Sequence, residues 1–165
     1  MAFLSNATGR NRRTCGPSNA SMTSATSALM MRVSIREIVE LAHKPISEVE
    51  YRRAIEERFV AKSGFMLFHE IDHGGWLSKF GIRWRMVRWI LDNPLIAITM
   101  IRHDLSAGLF APVEILVTEA EDGLGTTITY VRPSSLMVTG NNPPLMQAAA
   151  ELDKKLDELI SGVVA

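Results

Sequence analysis

Phe65-Met66-Leu67-Phe68-His69-Glu70-Ile71-Asp72-His73-Gly74-Gly75 is the stretch on which the rest of the chain turns. Residues 69–73 spell H-E-x-x-H, which on a helix is a zinc-protease motif. There the two histidines lie about 6 Å apart along the axis and can reach one ion. On a strand the same spacing carries them about 13 Å apart, too far to share zinc–nitrogen bonds of about 2 Å. The flanks favour a strand. An aromatic and long apolar run leads in from Gly64, and Gly74-Gly75 closes it. A helix confined between those glycines would be short for a metal site, and no third ligand stands at a recognisable spacing.

Working outward, the chain has 165 residues, 47% of them hydrophobic, enough for one domain with its own core. Equal numbers of basic and acidic side chains, 18 each, give no general pull toward nucleic acid or anionic membrane. A single cysteine, Cys15, rules out an internal disulfide and a cysteine zinc cluster. The longest apolar run, from Trp89 to Ile101, is broken by Asp92-Asn93-Pro94, so no segment spans a bilayer. No acid precedes Glu37, whereas Arg10, Arg12 and Arg13 fall in a Ser/Thr-rich start. Residues 1–31 therefore read as a disordered basic leader and residues 32–163 as a single domain. A cytoplasmic location is expected. Organelle import follows if the leader is a transit peptide, and Met22, Met30 or Met31 as the true start is the plainer alternative.

Partial alternation of Val33, Ile35, Val39 and Leu41 predicts a first strand, with Glu37 breaking the pattern. Ser47 and Glu50 have capping-box spacing and predict a helix to about Val60. A strand over 65–73 follows, then a short helical piece from Trp76 to Phe80, then a strand from Ile82 to Leu91. Asn93 as N-cap and Pro94 at N1 open a helix that Gly108 can end. Pro112–Thr118 and Thr126–Val131 form a hairpin, and Leu145 to about Ile160 is the last helix, with Ala148, Leu152, Leu156 and Leu159 as its apolar stripe. The sum is an α+β fold, an antiparallel sheet with helices packed on one face.

Trp76, Trp84 and Trp89 interleave with Arg83, Arg85 and Arg88. Such a strand could stack bases and contact phosphates. Neutral net charge favours the plainer reading, a strand with a buried aromatic face and an arginine-lined solvent face. Asp104 beside His103 could polarise the imidazole as a general base, but charges near a helix C-terminus, where a protonated histidine is favoured, are the plainer reading. No serine-hydrolase, phosphate-loop or dinucleotide motif occurs.

Gly64-Phe65 leading to Glu70-Ile71-Asp72-His73, then Asp92-Asn93-Pro94, Ala111-Pro112-Val113-Glu114-Ile115-Leu116-Val117 and Glu121-Asp122-Gly123, together resemble the domain-of-unknown-function family numbered 302, over roughly Val33 to Ile160. The resemblance implies a TATA-binding-protein-like β-α-β(4)-α arrangement, often dimeric, with H-E-x-x-H in a strand. Only Ile71-Asp72-His73 and Asn93-Pro94 transfer as motif positions, and no catalytic role comes with them. Three departures stand out. Asp92 replaces the usual glycine, Arg83-Trp84-Arg85 stands where a proline often opens the strand, and Ala111 replaces a leucine.

The expectation is a soluble domain that binds a small molecule or a second copy of itself, with Asp72, His73, Arg88 and Asn93 as ligand-binding candidates converging on one cleft. No cofactor, metal or membrane is expected. The alternatives are a zinc-dependent hydrolase, with His69 and His73 as ligands and Glu70 as base, and a weaker single-stranded nucleic-acid reading.

Overall fold

In a computed structural model the described residues are 4–5, 10–15, 30–121, 123 and 125–164. Seven strands form one sheet: β1 (Leu4–Ser5), β2 (Arg10–Cys15), β3 (Met31–Arg32), β4 (Met66–Asp72), β5 (Met86–Asp92), β6 (Val113–Glu119) and β7 (Thr126–Val131), in spatial order β1-β2-β7-β6-β5-β4-β3. All neighbours are antiparallel except β3 and β4, which run parallel. The helices are α1 (Ile35–Ala42), α2 (Glu48–Phe59), α3 (His73–Leu77), α4 (Pro94–Ile101), α5 (Pro133–Met137) and α6 (Pro143–Val164). From β3 onward this is the β-α-β(4)-α order, with α1 and α2 sharing the first crossover.

Side-chain alternation sorts the central strands into two faces. Leu67, Trp89, Leu91, Ile115, Val117, Ile128 and Tyr130 point to one face and pack with Leu152, Leu156 and Leu159 of α6 in the main core. Burying each aliphatic side chain of this kind stabilises by roughly 1.5–3 kcal/mol. Met66, on the opposite side of β4 from Leu67, joins a smaller cluster with Ile38 and Leu41 of α1 and Ile55 and Phe59 of α2. Over β5, β6, β7 and β2 no long helix among the described residues packs on the second face, which carries the row Ile71–Arg88–Leu116–Thr129–Arg12.

Four expectations need correction. The strand expected at 33–41 is α1: Ser34 accepts from Arg36 N–H, and the Glu37 carboxylate accepts from Ser34 N–H at 3.2 Å, completing a capping box. Burial of Ile38 and Leu41, with Ile35 and Val39 exposed, follows the helical period. The strand expected from Ile82 begins only at Met86, where β6 supplies Thr118 as a partner, and residues 82–85 are exposed. The middle helix stops at Ile101; Asp104 then caps a separate 3-10 turn, Leu105–Phe110. Finally, the basic leader is not unstructured over Arg10–Cys15, which pairs along all of β7. Asn11 and Arg13 face inward, and Arg13 reaches Ser161 Oγ at 2.7 Å and Asp157 at 3.7 Å on α6. Asp157 also accepts from Tyr130 Oη at 2.5 Å. Burial, then the hydrogen bond and charge of Asp157, push that phenol up to about 12, so it remains a donor. The rest of the leader lies largely outside the described residues.

Candidate functional site

Residues 69–72 are extended, so H-E-x-x-H does not form the helical metal face. A register shift between Leu67 and His69 marks a bulge at Phe68, which turns His69 to the Ile90 side and Glu70 to Trp89. Trp89 is buried and its indole needs an acceptor. Glu70 Oε2 provides it at 2.9 Å and also receives Arg32 at 3.0 Å. The carboxylate that a zinc hydrolase would use as base is thus held by two partners. Among the described residues no cluster of three or more His, Cys, Asp or Glu could hold a metal ion.

Asp72 ends β4 by capping α3: its Oδ1 accepts from Gly75 N–H at 3.0 Å. Gly74 lets the turn sit against the start of β5, because a Cβ there would lie 2.6 Å from the Trp84 carbonyl oxygen. His73 opens α3, and its Nδ1 accepts from Trp76 Nε1 at 3.2 Å, which leaves Nε2 as the donor of the neutral ring. The two rings meet edge to face at 5.8 Å.

This turn overhangs the open sheet face and closes one end of a groove of about 740 Å³. His73, Trp76 and Leu77 form that end, Met86, Arg88, Glu114 and Leu116 the floor, and Leu109 and Leu136 the far end. Arg88 pairs with Glu114 across β5 and β6. The volume falls within the range of about 300–1,000 Å³ typical of small-molecule sites. A neighbouring cleft of about 560 Å³ takes in Asp72, Glu70, Trp84 and the exposed Arg83 and Arg85.

The expected convergence of four candidates is only partly met. His73 and Arg88 share the groove, while Asp72 faces the adjoining cleft. Asn93 is elsewhere. Asp72 pairs with Val87 at one end of the β4–β5 ladder, and Met66 pairs with Asp92 at the other, just before Asn93. Asn93 is buried; its Nδ2 donates to the Gly64 carbonyl at 2.8 Å and its Oδ1 accepts from Leu95 N–H at 2.9 Å. Its role is to join the start of β4 to the start of α4. The cavity it touches, about 650 Å³, is lined by Arg52, Glu56, Arg102 and Lys155 together with apolar Val60, Leu95, Ile96 and Leu152. Burial pushes the Asp92 carboxyl up to about 6, against the opposing hydrogen bond from Asn93 N–H at 2.7 Å.

The Arg/Trp alternation does not build one stacking surface. Trp89 lies in the core, Trp76 is on α3, and Trp84 sits in the exposed segment before β5. Asp104 caps Ser106 through its Oδ1 and is not shown bonded to the His103 ring. Hydrogen bonds from the Ser106 hydroxyl and N–H hold the Asp104 carboxyl below its ordinary range. Sequence reasoning missed Trp76, Arg10 and Glu114 as groove residues. Glu114 had a signal, since a carboxylate between Val113 and Ile115 must point away from the core. Arg10 had none within its own segment.

The β-α-β(4)-α order and the mixed sheet define an α+β fold. The family model described as Domain of unknown function DUF302 matches residues 39–163, and the chain belongs to that family. The crystal structure of an uncharacterized conserved protein DUF302 from Bacillus stearothermophilus is similar in fold, with TM-score 0.65 and 19% identity, the match covering 95% of this chain and 99% of that one. Comparison with curated proteins finds no match. Among the described residues no helix is long and apolar enough to cross a membrane.

Proposed function

We propose that this domain binds a small, largely apolar molecule in the groove on the open sheet face; no reaction is assigned to it. The observation that carries the reading is the 740 Å³ groove itself, into which His73, Arg88 and Trp76 project over a floor that includes Leu116 and Met86. Apolar walls with a few convergent polar groups are the usual make-up of a ligand pocket. The cavity near Asn93 carries more charged side chains, Arg52, Glu56, Arg102, Glu151 and Lys155, among its apolar ones.

A thermal-shift screen of small apolar compounds tests this. A ligand at about one hundred times its Kd adds roughly 2.7 kcal/mol, a rise of about 5–10 °C for a domain of this size. Leu116→Lys, which places a charge on the groove floor, is expected to remove that rise. Absence of any rise, or a rise that survives Leu116→Lys, contradicts the reading.

A second reading, self-association, is favoured by one observation. Large apolar side chains surround the same groove: Trp76 is 51% exposed and Leu109 81%, with Phe80 and Leu105 exposed beyond them. Sedimentation over a concentration series separates the two, because a dimer depends on protein concentration and small-molecule binding alone does not.

A further inference from the structure

The groove is apolar but not electrically neutral. Its charged side chains are Arg10, Arg88 and Glu114. Arg88 and Glu114 are ion-paired and cancel. Arg10 comes from β2, which lies between β1 and β7 in the sheet and before the family match at 39–163. Of the three arginines on that strand, Arg12 pairs with Glu121 at 3.2 Å and Arg13 with Asp157 on α6. Arg10 has no ion pair among the described residues. Its position is set by the Arg10–Val131 register and by the inward Arg13 that ties β2 to α6. One uncompensated guanidinium therefore borders an apolar trough, on a strand anchored to the main core.

We infer that the ligand of this groove is an amphipathic monoanion, an alkyl or aryl carboxylate, whose headgroup is read by Arg10. This rests on the groove reading above and specifies its ligand. A guanidinium fork matches a carboxylate in shape. A single cation balances a single negative charge, whereas a phosphate monoester brings about −1.5 to −2 at neutral pH. The apolar remainder of the ligand lies over Leu116 and Met86 toward Trp76. Carboxylate recognition in this family member then depends on a segment outside the matched domain, so the groove alone does not fix specificity.

The test compares octanoate with its neutral counterpart octanamide on the full chain, by ligand-observed NMR titration. Octanoate is expected to bind roughly tenfold more tightly, the worth of one charge-assisted pair. Arg10→Gln, an exposed substitution that leaves the strand pairing intact, is expected to erase the difference by weakening octanoate alone. Arg12→Gln, whose partner is Glu121, is expected to preserve it. Equal binding of the two compounds to the unaltered protein, or a preference that survives Arg10→Gln, overturns the inference while leaving the groove reading standing. No binding of either compound overturns both.

Discussion

The two ends of the β4–β5 ladder are built from similar parts and do opposite jobs. At the Met66–Asp92 end, Asn93 is buried, uses both ends of its amide, and clamps Gly64 to the first turn of α4. At the Asp72–Val87 end, Asp72 caps a five-residue helix whose other side chains, His73 and Trp76, hang over a groove. Both ends carry an acid or amide at a strand-to-helix junction, and both caps satisfy free N–H groups. The difference is what lies beyond the cap. Asn93 is buried and bonded at both ends of its amide, so it is committed to the fold. His73 is half-buried and lines the groove. Motif residues from one family can therefore divide between holding the fold and presenting a surface.

The sharpest way to break this comparison is Asn93→Ala. It removes a cap, worth about 1 kcal/mol, and strands the Gly64 carbonyl, worth a further 1–3 kcal/mol or so. Urea unfolding is expected to show a loss of about 2–4 kcal/mol, with ligand affinity unchanged once the protein is folded. A loss well under about 1 kcal/mol would remove Asn93 from its clamping role.

Asp92 sharpens the same contrast through pH. Its folded pKa, pushed up to about 6, lies above the value of about 3.9 for an unfolded aspartate. Between those values the native state keeps a proton that the unfolded chain has released, so stability falls as pH rises from about 4 to 6. Asp92→Asn is expected to flatten that part of the profile. It should stabilise the protein by about 3 kcal/mol at pH 7 and leave it unchanged below about pH 4. Parallel pH–stability curves for the two proteins would contradict this. The smallest expected effect on folding is at the open end: His73→Ala should change stability by less than about 0.5 kcal/mol, yet weaken whatever the groove binds.

Where the signal was local, the sequence carried the fold. Ser47 with Glu50, and Asn93 with Pro94, announced α2 and α4, and the alternation of Val113, Ile115 and Val117 announced β6. The same capping-box spacing was present at Ser34 and Glu37, and the acid that spoiled the strand alternation there was the N3 residue of a helix. β2 was not legible. Its inward residues are Asn11 and Arg13, not apolar ones, and its partner β7 lies more than a hundred residues away. The site was half legible for the same reason. His73 and Arg88 could be named from their motifs, but only the antiparallel register shows Asp72 and Asn93 at opposite ends of the ladder. The bulge at Phe68, which hands Glu70 to Trp89, left no mark in the hydrophobic pattern.

The most direct test of this division of labour is an NMR titration of the full chain with octanoate, following the backbone amides of His73, Trp76 and Leu116 alongside those of Asn93 and Thr99. The account predicts saturable shifts at the first three and none at the last two. Shifts centred on Asn93 and Thr99, or no shifts at all, would contradict it.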